Sequence, residues 1–274
     1  MRKVVFFDID GTLMTSKNQL PESTQQAIKE LKDNGHLPII STGRPPEMLE
    51  AVAEALGIEN YISLNGQYIV VDGEPIYSKP LPTDALENLI ETSYDQGDRT
   101  FLLTENQVIG NTFMSEMMDP DFLTYVYTHL SELPTEVTLE LFKHMTEKPL
   151  PRDRYEREEV LMAFVNTSEE NDAFYQEHFP DLHFTRATPL IGEAIMKGSH
   201  KAIGMERVVN HLGKNMTDTI AFGDSLNDIE MLEAAGAGVA MGNGREELKE
   251  IADYVTADVS DDGIYKGLKR LKLI

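Results

Sequence analysis

Two carboxylates stand one residue apart near the start of the chain, in Val4-Val5-Phe6-Phe7-Asp8-Ile9-Asp10-Gly11-Thr12-Leu13. The four residues before them are apolar, β-branched or aromatic, and read as a buried strand. Residues two apart on a strand point the same way, so Asp8 and Asp10 can project together from its carboxyl end. Acids placed so repel one another unless a positive charge lies between them. A hard divalent cation such as Mg²⁺, which prefers oxygen ligands, supplies that charge. Carboxyl ends of strands are also where open parallel sheets bind ligands. The chemistry suggested is phosphoryl transfer. One carboxylate attacks phosphorus and forms an aspartyl phosphate, and the other protonates the leaving oxygen and then activates a water. A lone D-x-D-G also serves as an acidic turn after a strand, because Asp and Gly build turns. The choice rests on whether the remaining chain supplies a phosphate cradle, a cation and a third metal ligand.

The elements that would position these groups alternate. Ala27, Ile28 and Leu31 follow Pro21 at helical spacing, and Asn34-Gly35 stops that helix. Leu37 to Ile40 is a second buried strand, leading into Ser41-Thr42-Gly43-Arg44. A helix then runs from Pro45 or Pro46 to Gly57, and Tyr61 to Leu64 is a third strand, ending in Asn65-Gly66. Strands and helices joined by short links predict right-handed crossovers and a parallel sheet. Asp72-Gly73 predicts a hairpin between Tyr68–Val71 and Pro75–Tyr77, and Lys79-Pro80-Leu81-Pro82 a stiff hinge.

From Thr83 to Ala187 the pattern is mixed. Helices are predicted over 84–96 and 169–178 and strands over 100–104, 160–165 and 182–185. A further helical stretch carries Met114, Met117, Met118, Phe122, Tyr125 and Leu130. Its methionines read as core of the insertion. Arg152, Arg154 and Arg157, among Asp153, Glu156, Glu158 and Glu159, read as a solvated, self-paired face.

The α/β rhythm returns at Met196. A helix over 199–212 has Ser199 as its predicted cap. The strand Thr219–Phe222 ends at Gly223-Asp224-Ser225-Leu226-Asn227-Asp228. A helix over 229–235, a strand over 238–241, a helix over 245–252, a strand at 254–255 and a helix over 263–269 follow. The layout is α/β: a doubly wound parallel-sheet core formed by residues 1–82 and 188–274, interrupted by an α+β domain over 83–187.

Three strand ends of the core now carry polar residues. Thr42 offers a hydroxyl and Gly43 an unshielded N–H to a phosphoryl oxygen, although such residues also cap helices. Asp224 could complete an oxygen cage for Mg²⁺ or serve as an N-cap. Asn227 and Asp228 lie in the first helical turn after it, where backbone N–H groups favour anions. Lys197 and Lys201 are the candidate cations for charge developing on the phosphoryl oxygens. Arg44 is a weaker one, better used in an ion pair with a nearby acid.

Composition narrows the class. The chain has 274 residues, 41% of them hydrophobic, and a formal net charge of −23 from 47 acids and 24 bases. Such acidity argues against nucleic-acid binding. There is no cysteine, hence no disulfide or thiol chemistry. The first apolar run reaches Asp8 too soon for a signal peptide, and no stretch approaches the roughly 20 apolar residues of a membrane span. A cytoplasmic protein without a membrane partner is expected.

The sequence resembles the haloacid dehalogenase-like hydrolase superfamily, in its Cof-type branch with the larger α+β cap. Four motifs carry the resemblance in order: Asp8-Ile9-Asp10-Gly11-Thr12-Leu13, Ser41-Thr42-Gly43-Arg44, Lys197-Gly198-Ser199-His200-Lys201 and Gly223-Asp224-Ser225-Leu226-Asn227-Asp228. Gly238-Val239-Ala240-Met241-Gly242-Asn243 and Ala252-Asp253-Tyr254-Val255-Thr256 are also of the family type, so the likeness spans essentially the whole chain. It implies a Rossmann-like core with the cap between the second and third motifs. It implies Asp8 as nucleophile and Asp10 as general acid/base. Mg²⁺ would be held by Asp8, the backbone carbonyl of Asp10 and Asp224, with Asp228 supporting the metal shell. The phosphoryl group would be held by the backbone around Ile9 and by Thr42, Gly43, Lys201 and Asn227. Alignment with the family's lysine at a helix start selects Lys201 over Lys197, although Ala202 stands where the family usually has glycine. Asn65-Gly66 matches a family loop near substrate. The implied activity is a Mg²⁺-dependent phosphatase for a small phosphorylated metabolite, a sugar phosphate or similar phosphomonoester. A sugar phosphomutase and a phospho-accepting signalling receiver are the alternatives. A receiver carries no cap and no second acid placed like Asp10.

Overall fold

The computed structural model describes residues 2–105, 107–110, 149–188 and 191–274. These fall into two compact units. One comprises Met1–Arg44, Leu49–Tyr77 and His200–Ile274, and the other comprises Pro45–Met48 and Ser78–Ser199.

The first unit is a Rossmann-like, doubly wound core. Strands β1 (Val4–Phe7), β2 (Leu37–Ser41) and β3 (Tyr61–Ser63) alternate with helices α1 (Glu22–Asp33) and α2 (Pro46–Leu56). β1 pairs in parallel with β2, and β2 with β3. β4 (Tyr68–Val71) then turns back antiparallel to β3, and β5 (Glu74–Ser78) closes that edge. The turn between them holds Asp72 at φ 53° and Gly73 at φ 77°, the two positive values that a tight hairpin turn demands.

The chain then builds the second unit, an α+β insertion. Helix α3 (Thr83–Asp95) precedes strands β6 (Arg99–Leu103), β7 (Val108–Ile109) and β8 (Met162–Asn166). Helix α4 (Asp172–His178), β9 (Leu182–Thr188) and β10 (Ile191–Met196) complete it. The sheet order is β7-β6-β8-β10-β9, antiparallel throughout. Leu86, Leu89 and Ile90 of α3 pack with Leu102, Ala163, Val165 and Ala194 of the sheet and with Tyr175 of α4. The predicted strand and helix positions recur here, with β7 and β10 added. Ile191–Met196, expected within the core, instead pairs with β8 and β9. The methionine-rich helical stretch lies outside the described residues. Arg152 pairs chiefly with α3, through Glu87 and with Asp84 at 3.6 Å, while Arg157 reaches Glu156 at 4.0 Å.

The core resumes with α5 (Lys201–His211), β11 (Thr219–Gly223), α6 (Ile229–Ala234), β12 (Gly238–Ala240), α7 (Glu246–Ile251), β13 (Tyr254–Val255) and α8 (Gly263–Arg270). The full sheet order is β13-β12-β11-β1-β2-β3-β4-β5, which places β1 at its centre. That position explains the unbroken apolar run in β1. Val5 and Phe7 join Ile28, Leu31, Ile264 and Leu268 on one face, and Val4 and Phe6 join Met205, Val208 and Met231 on the other. Phe7 lies in register with Phe222 and Ile40, and its ring stacks on Phe222 with centroids 5.2 Å apart. The predicted Ser199 cap is corrected. Gly198, at φ 77°, turns the chain, and Ser199 N–H closes that turn on the Met196 carbonyl. The N-cap is His200, whose carbonyl accepts the first helical bond, from Gly204 N–H. Among the described residues no helix is long and apolar enough to cross a membrane.

Candidate active site

The parallel register sets the carboxyl ends of β1, β2, β3 and β11 side by side, and the polar motifs converge there. Asp8 is the first residue past β1. Its N–H donates to the Phe222 carbonyl at 3.0 Å, which extends the ladder by one step and fixes its backbone beside β11. Its carboxylate is buried, and Oδ1 accepts from Lys201 Nζ at 2.6 Å.

Lys201 opens α5 and has no exposed side-chain surface. Its ammonium also donates to Asp228 Oδ1 at 2.7 Å, so it bridges two buried acids. The second oxygen of Asp228 accepts the backbone N–H groups of Asp224 and Ser225, both at 3.0 Å. Asp228 thereby ties the β11 corner together, in a short 3₁₀ turn whose N-cap is Ser225. Asp224 accepts the Thr12 hydroxyl at 3.2 Å and the Ser225 hydroxyl at 3.3 Å.

Oxygens of Asp8, Asp224 and Asp228 lie within 4.8 Å of one another. Two glycines make room for this crowding. Gly11 has φ +83°, and a Cβ there would lie 2.2 Å from Asp224 Oδ2. At Gly223 a Cβ would meet the Asp228 Cβ at 2.5 Å.

The electrostatics follow from burial. Desolvation pushes the Asp8 carboxyl well above the usual carboxylate range. Lys201 opposes that shift, while Asp228, Asp224 and Asp10 add to it. Asp224 is pushed up to about 7, first by burial and then by Asp228, against Lys201 and the Thr12 and Ser225 hydroxyls. Burial works against the charged form of Lys201, but Asp228 and Asp8 outweigh it and hold the ammonium above the ordinary lysine range. All-oxygen, carboxylate-rich donors at this spacing suit a hard divalent cation.

Asp10 stands apart from this group. Its carboxylate is taken by Arg44, with Nε donating to Oδ2 at 2.8 Å and Nη2 to Oδ1 at 2.5 Å. The ion pair expected of Arg44 is therefore made with the second acid of the opening motif. Ile9, between the two acids, is buried, and its carbonyl accepts Thr12 and Met14 N–H in the loop that follows.

Beyond β2, the buried Thr42 accepts Arg44 N–H on Oγ1 at 3.1 Å, which leaves its own O–H to donate. Gly43 follows, and a Cβ there would come within 3.3 Å of the Asn65 amide nitrogen. Asn65 Oδ1 also accepts from Asn227 Nδ2 at 3.4 Å, so Asn65 links the β2 and β11 corners. It does so from a left-handed backbone, φ 52°, beside Leu64 at φ 51°. Next to it, Gly66 admits the His200 carbonyl, which a Cβ would meet at 2.7 Å.

Of the two candidate lysines, Lys201 is in the cluster, and Lys197 Nζ donates to the Pro180 carbonyl at 3.0 Å. Sequence reasoning did not single out Thr12 or Asn243. Asn243 Nδ2 donates to the Gly11 carbonyl at 2.8 Å and its Oδ1 accepts Val259 N–H at 2.9 Å, which clips the β1 loop in place. Neither residue type is unusual in a loop, and the contacts cross more than 200 positions in Thr12–Asp224 and Gly11–Asn243.

This arrangement on this fold defines a class. The chain belongs to the haloacid dehalogenase-like hydrolase family, whose model matches residues 5–268. It is 35% identical over 272 residues, 99% of this chain and 98% of the relative, to a Bacillus subtilis (strain 168) protein named "Putative phosphatase YkrA". It is 30% identical to the B. subtilis 5-amino-6-(5-phospho-D-ribitylamino)uracil phosphatase YitU, covering 97% of this chain and 96% of that one. Among solved structures, the haloacid dehalogenase phosphatase BT1666 of Bacteroides thetaiotaomicron superposes with a TM-score of 0.81 at 28% identity, over 100% of this chain and 96% of the other. The enzyme class is that of a phosphatase.

Proposed function

We propose that the chain is a Mg²⁺-dependent phosphatase that hydrolyses a small phosphate monoester through an aspartyl phosphate on Asp8. One observation carries the reading: three acids cluster at the carboxyl end of the central strand around one buried lysine, which bridges two of them. Three carboxylates against one ammonium leave two negative charges when all are ionised, and the Asp10–Arg44 pair adds none. A divalent cation closes that balance. Asp8, Asp224 and the Asp10 backbone carbonyl would hold Mg²⁺, with Asp228 behind them; bound there, it neutralises charge on the phosphoryl oxygens.

In this reading Asp8 Oδ attacks phosphorus in line, and the bond to the leaving oxygen breaks as the new P–O bond forms. Asp10 gives its proton to that leaving oxygen and then takes one from the water that cleaves the acyl phosphate, which restores both acids. Lys201 opposes the upward shift that burial imposes on Asp8 and so favours its ionised form. The Thr42 hydroxyl, the Gly43 N–H, the Asn227 amide and the backbone at Ile9 bind the phosphoryl oxygens. The determinants of substrate choice would lie within residues 83–187. Two similar proteins support a phosphorylated polyol or sugar as the substrate class: YitU, by its name, and BT4131, a subclass IIB sugar phosphatase 28% identical to this chain.

The test is a screen of phosphorylated metabolites and an aryl phosphate for phosphate release, with and without Mg²⁺, on wild type and Asp8→Asn. The wild type should release phosphate only with the cation, and acid quenching should trap a protein-bound acyl phosphate. Asp8→Asn should do neither while remaining folded. Turnover by that variant at the wild-type rate would end the nucleophile assignment.

A further inference from the structure

The acid that must move a proton is already held. Both oxygens of Asp10 engage one guanidinium, and the two partners differ in setting: the Arg44 side chain is 3% exposed and that of Asp10 50%. Arg44 is also anchored through its backbone. Its N–H donates to Thr42 Oγ1, and its carbonyl accepts the Ser63 hydroxyl at 2.6 Å and Leu64 N–H at 3.2 Å. Arginine is the buried, backbone-anchored member of the pair and aspartate the half-exposed one. A two-pronged guanidinium fits a carboxylate, because each oxygen meets an N–H and neither has room to carry a proton toward it. The fork therefore fixes where the Asp10 side chain points.

We propose that Arg44 is a positioning residue for Asp10, fixing the orientation of its side chain through the paired contacts. This rests on the reading of Asp10 as the general acid/base. Arg44 should then matter most where the leaving group needs a proton. An alkyl phosphate expels an alkoxide and depends on that proton. A p-nitrophenyl ester expels a stable phenolate and does not.

The experiment is a double-mutant cycle of Arg44→Met and Asp10→Asn, with kcat/KM, which reports the step that expels the leaving group, measured on glycerol phosphate and on p-nitrophenyl phosphate. Asp10→Asn should lose about 100-fold or more on the alkyl ester, the usual size of general acid catalysis. Arg44→Met should lower alkyl turnover about tenfold more than aryl turnover, as misplacement of a catalytic group does. In the Asp10→Asn background Arg44→Met should cost nothing further on either ester. Arg44→Lys, which keeps the charge and one contact, should shift the alkyl-to-aryl ratio less and in the same direction; it carries the test if Arg44→Met does not fold. An unchanged ratio in either arginine variant, or additive losses in the double variant, overturns the proposal. A wild type that releases phosphate from neither ester overturns the phosphatase reading itself, a separate result from an active wild type with an Arg44-independent ratio.

Discussion

Lys201→Met removes the charge that two buried carboxylates share while keeping the length of the side chain. Breaking a buried ion pair from one side leaves uncompensated charge and costs about 3–5 kcal/mol. Lys201 has Asp8 at 2.6 Å and Asp228 at 2.7 Å, with no exposed side-chain surface, so the upper part of that range applies. For a domain of this size 1 kcal/mol shifts Tm by about 2–4 °C, so about 4–5 kcal/mol gives roughly 8–20 °C. The loss should depend on pH, and its sign follows from the shifts. Lys201 is held above its ordinary range, so its own contribution is present across pH 5–8 and is lost only in strong alkali. Asp8 and Asp224 are held above theirs, Asp224 at about 7, so they favour folding while protonated and oppose it as pH rises through those values. Lys201 is the group that restrains both shifts, and without it the opposition grows. The deficit of Lys201→Met should therefore be larger at pH 8 than at pH 5. Thermal and urea unfolding of both proteins without divalent cation measures it. Equal deficits at the two pH values, or no deficit at pH 8, would refute the reasoning.

Two further outcomes follow from the same cluster. Mg²⁺ affinity, read by calorimetry on the wild type, should rise with pH up to about 7 and level off above it, because Asp224 must give up its proton to bind; a flat profile between pH 5.5 and 8 would contradict this. Gly11→Ala should weaken Mg²⁺ binding and cost about 1–3 kcal/mol, since it adds a Cβ 2.2 Å from Asp224 Oδ2 at φ +83°. Gly35→Ala, at φ +80° with nothing within 4 Å, should carry only a backbone cost of about 1 kcal/mol and leave metal binding unchanged.

Much of the core was legible because local pattern and global position agree there. Val4–Phe7 is apolar without alternation because β1 lies mid-sheet with both faces covered, and the acids come where that cover ends. Ile191–Met196 was missed for the opposite reason. It includes Gly192 and Glu193, the latter buried and accepting the Thr185 hydroxyl at 3.0 Å, a combination that breaks the strand pattern until its partners are known. Candidate site residues at strand ends could be named from residue type, since Asp8, Thr42 and Asp224 each follow an apolar run. Partnerships could not. Nothing local to Arg44 says that its acid is Asp10, 34 positions away, and nothing local to Asn65 says that its left-handed backbone sets its amide between Gly43 and Asn227. Such pairings belong to the topology, which places neighbouring strand ends together whatever their distance along the chain.

The same topology explains why the proposed chemistry calls for an added cation in a chain of net charge −23. A phosphate monoester arrives with up to two negative charges of its own. The two basic side chains buried at these strand ends, Lys201 and Arg44, are already engaged, one by Asp8 and Asp228 and the other by Asp10. They hold the acids in place, and in doing so their charge is largely cancelled before any substrate comes near. Backbone N–H groups at Asp224 and Ser225 are likewise turned to Asp228. Beside the neutral donors at Thr42, Gly43 and Asn227, an incoming phosphoryl group meets a surplus of carboxylate charge, and Coulomb repulsion in a buried setting is not screened as it is in water. A divalent ion held by Asp8 and Asp224 would cancel that surplus of two charges, whereas a monovalent one would only halve it.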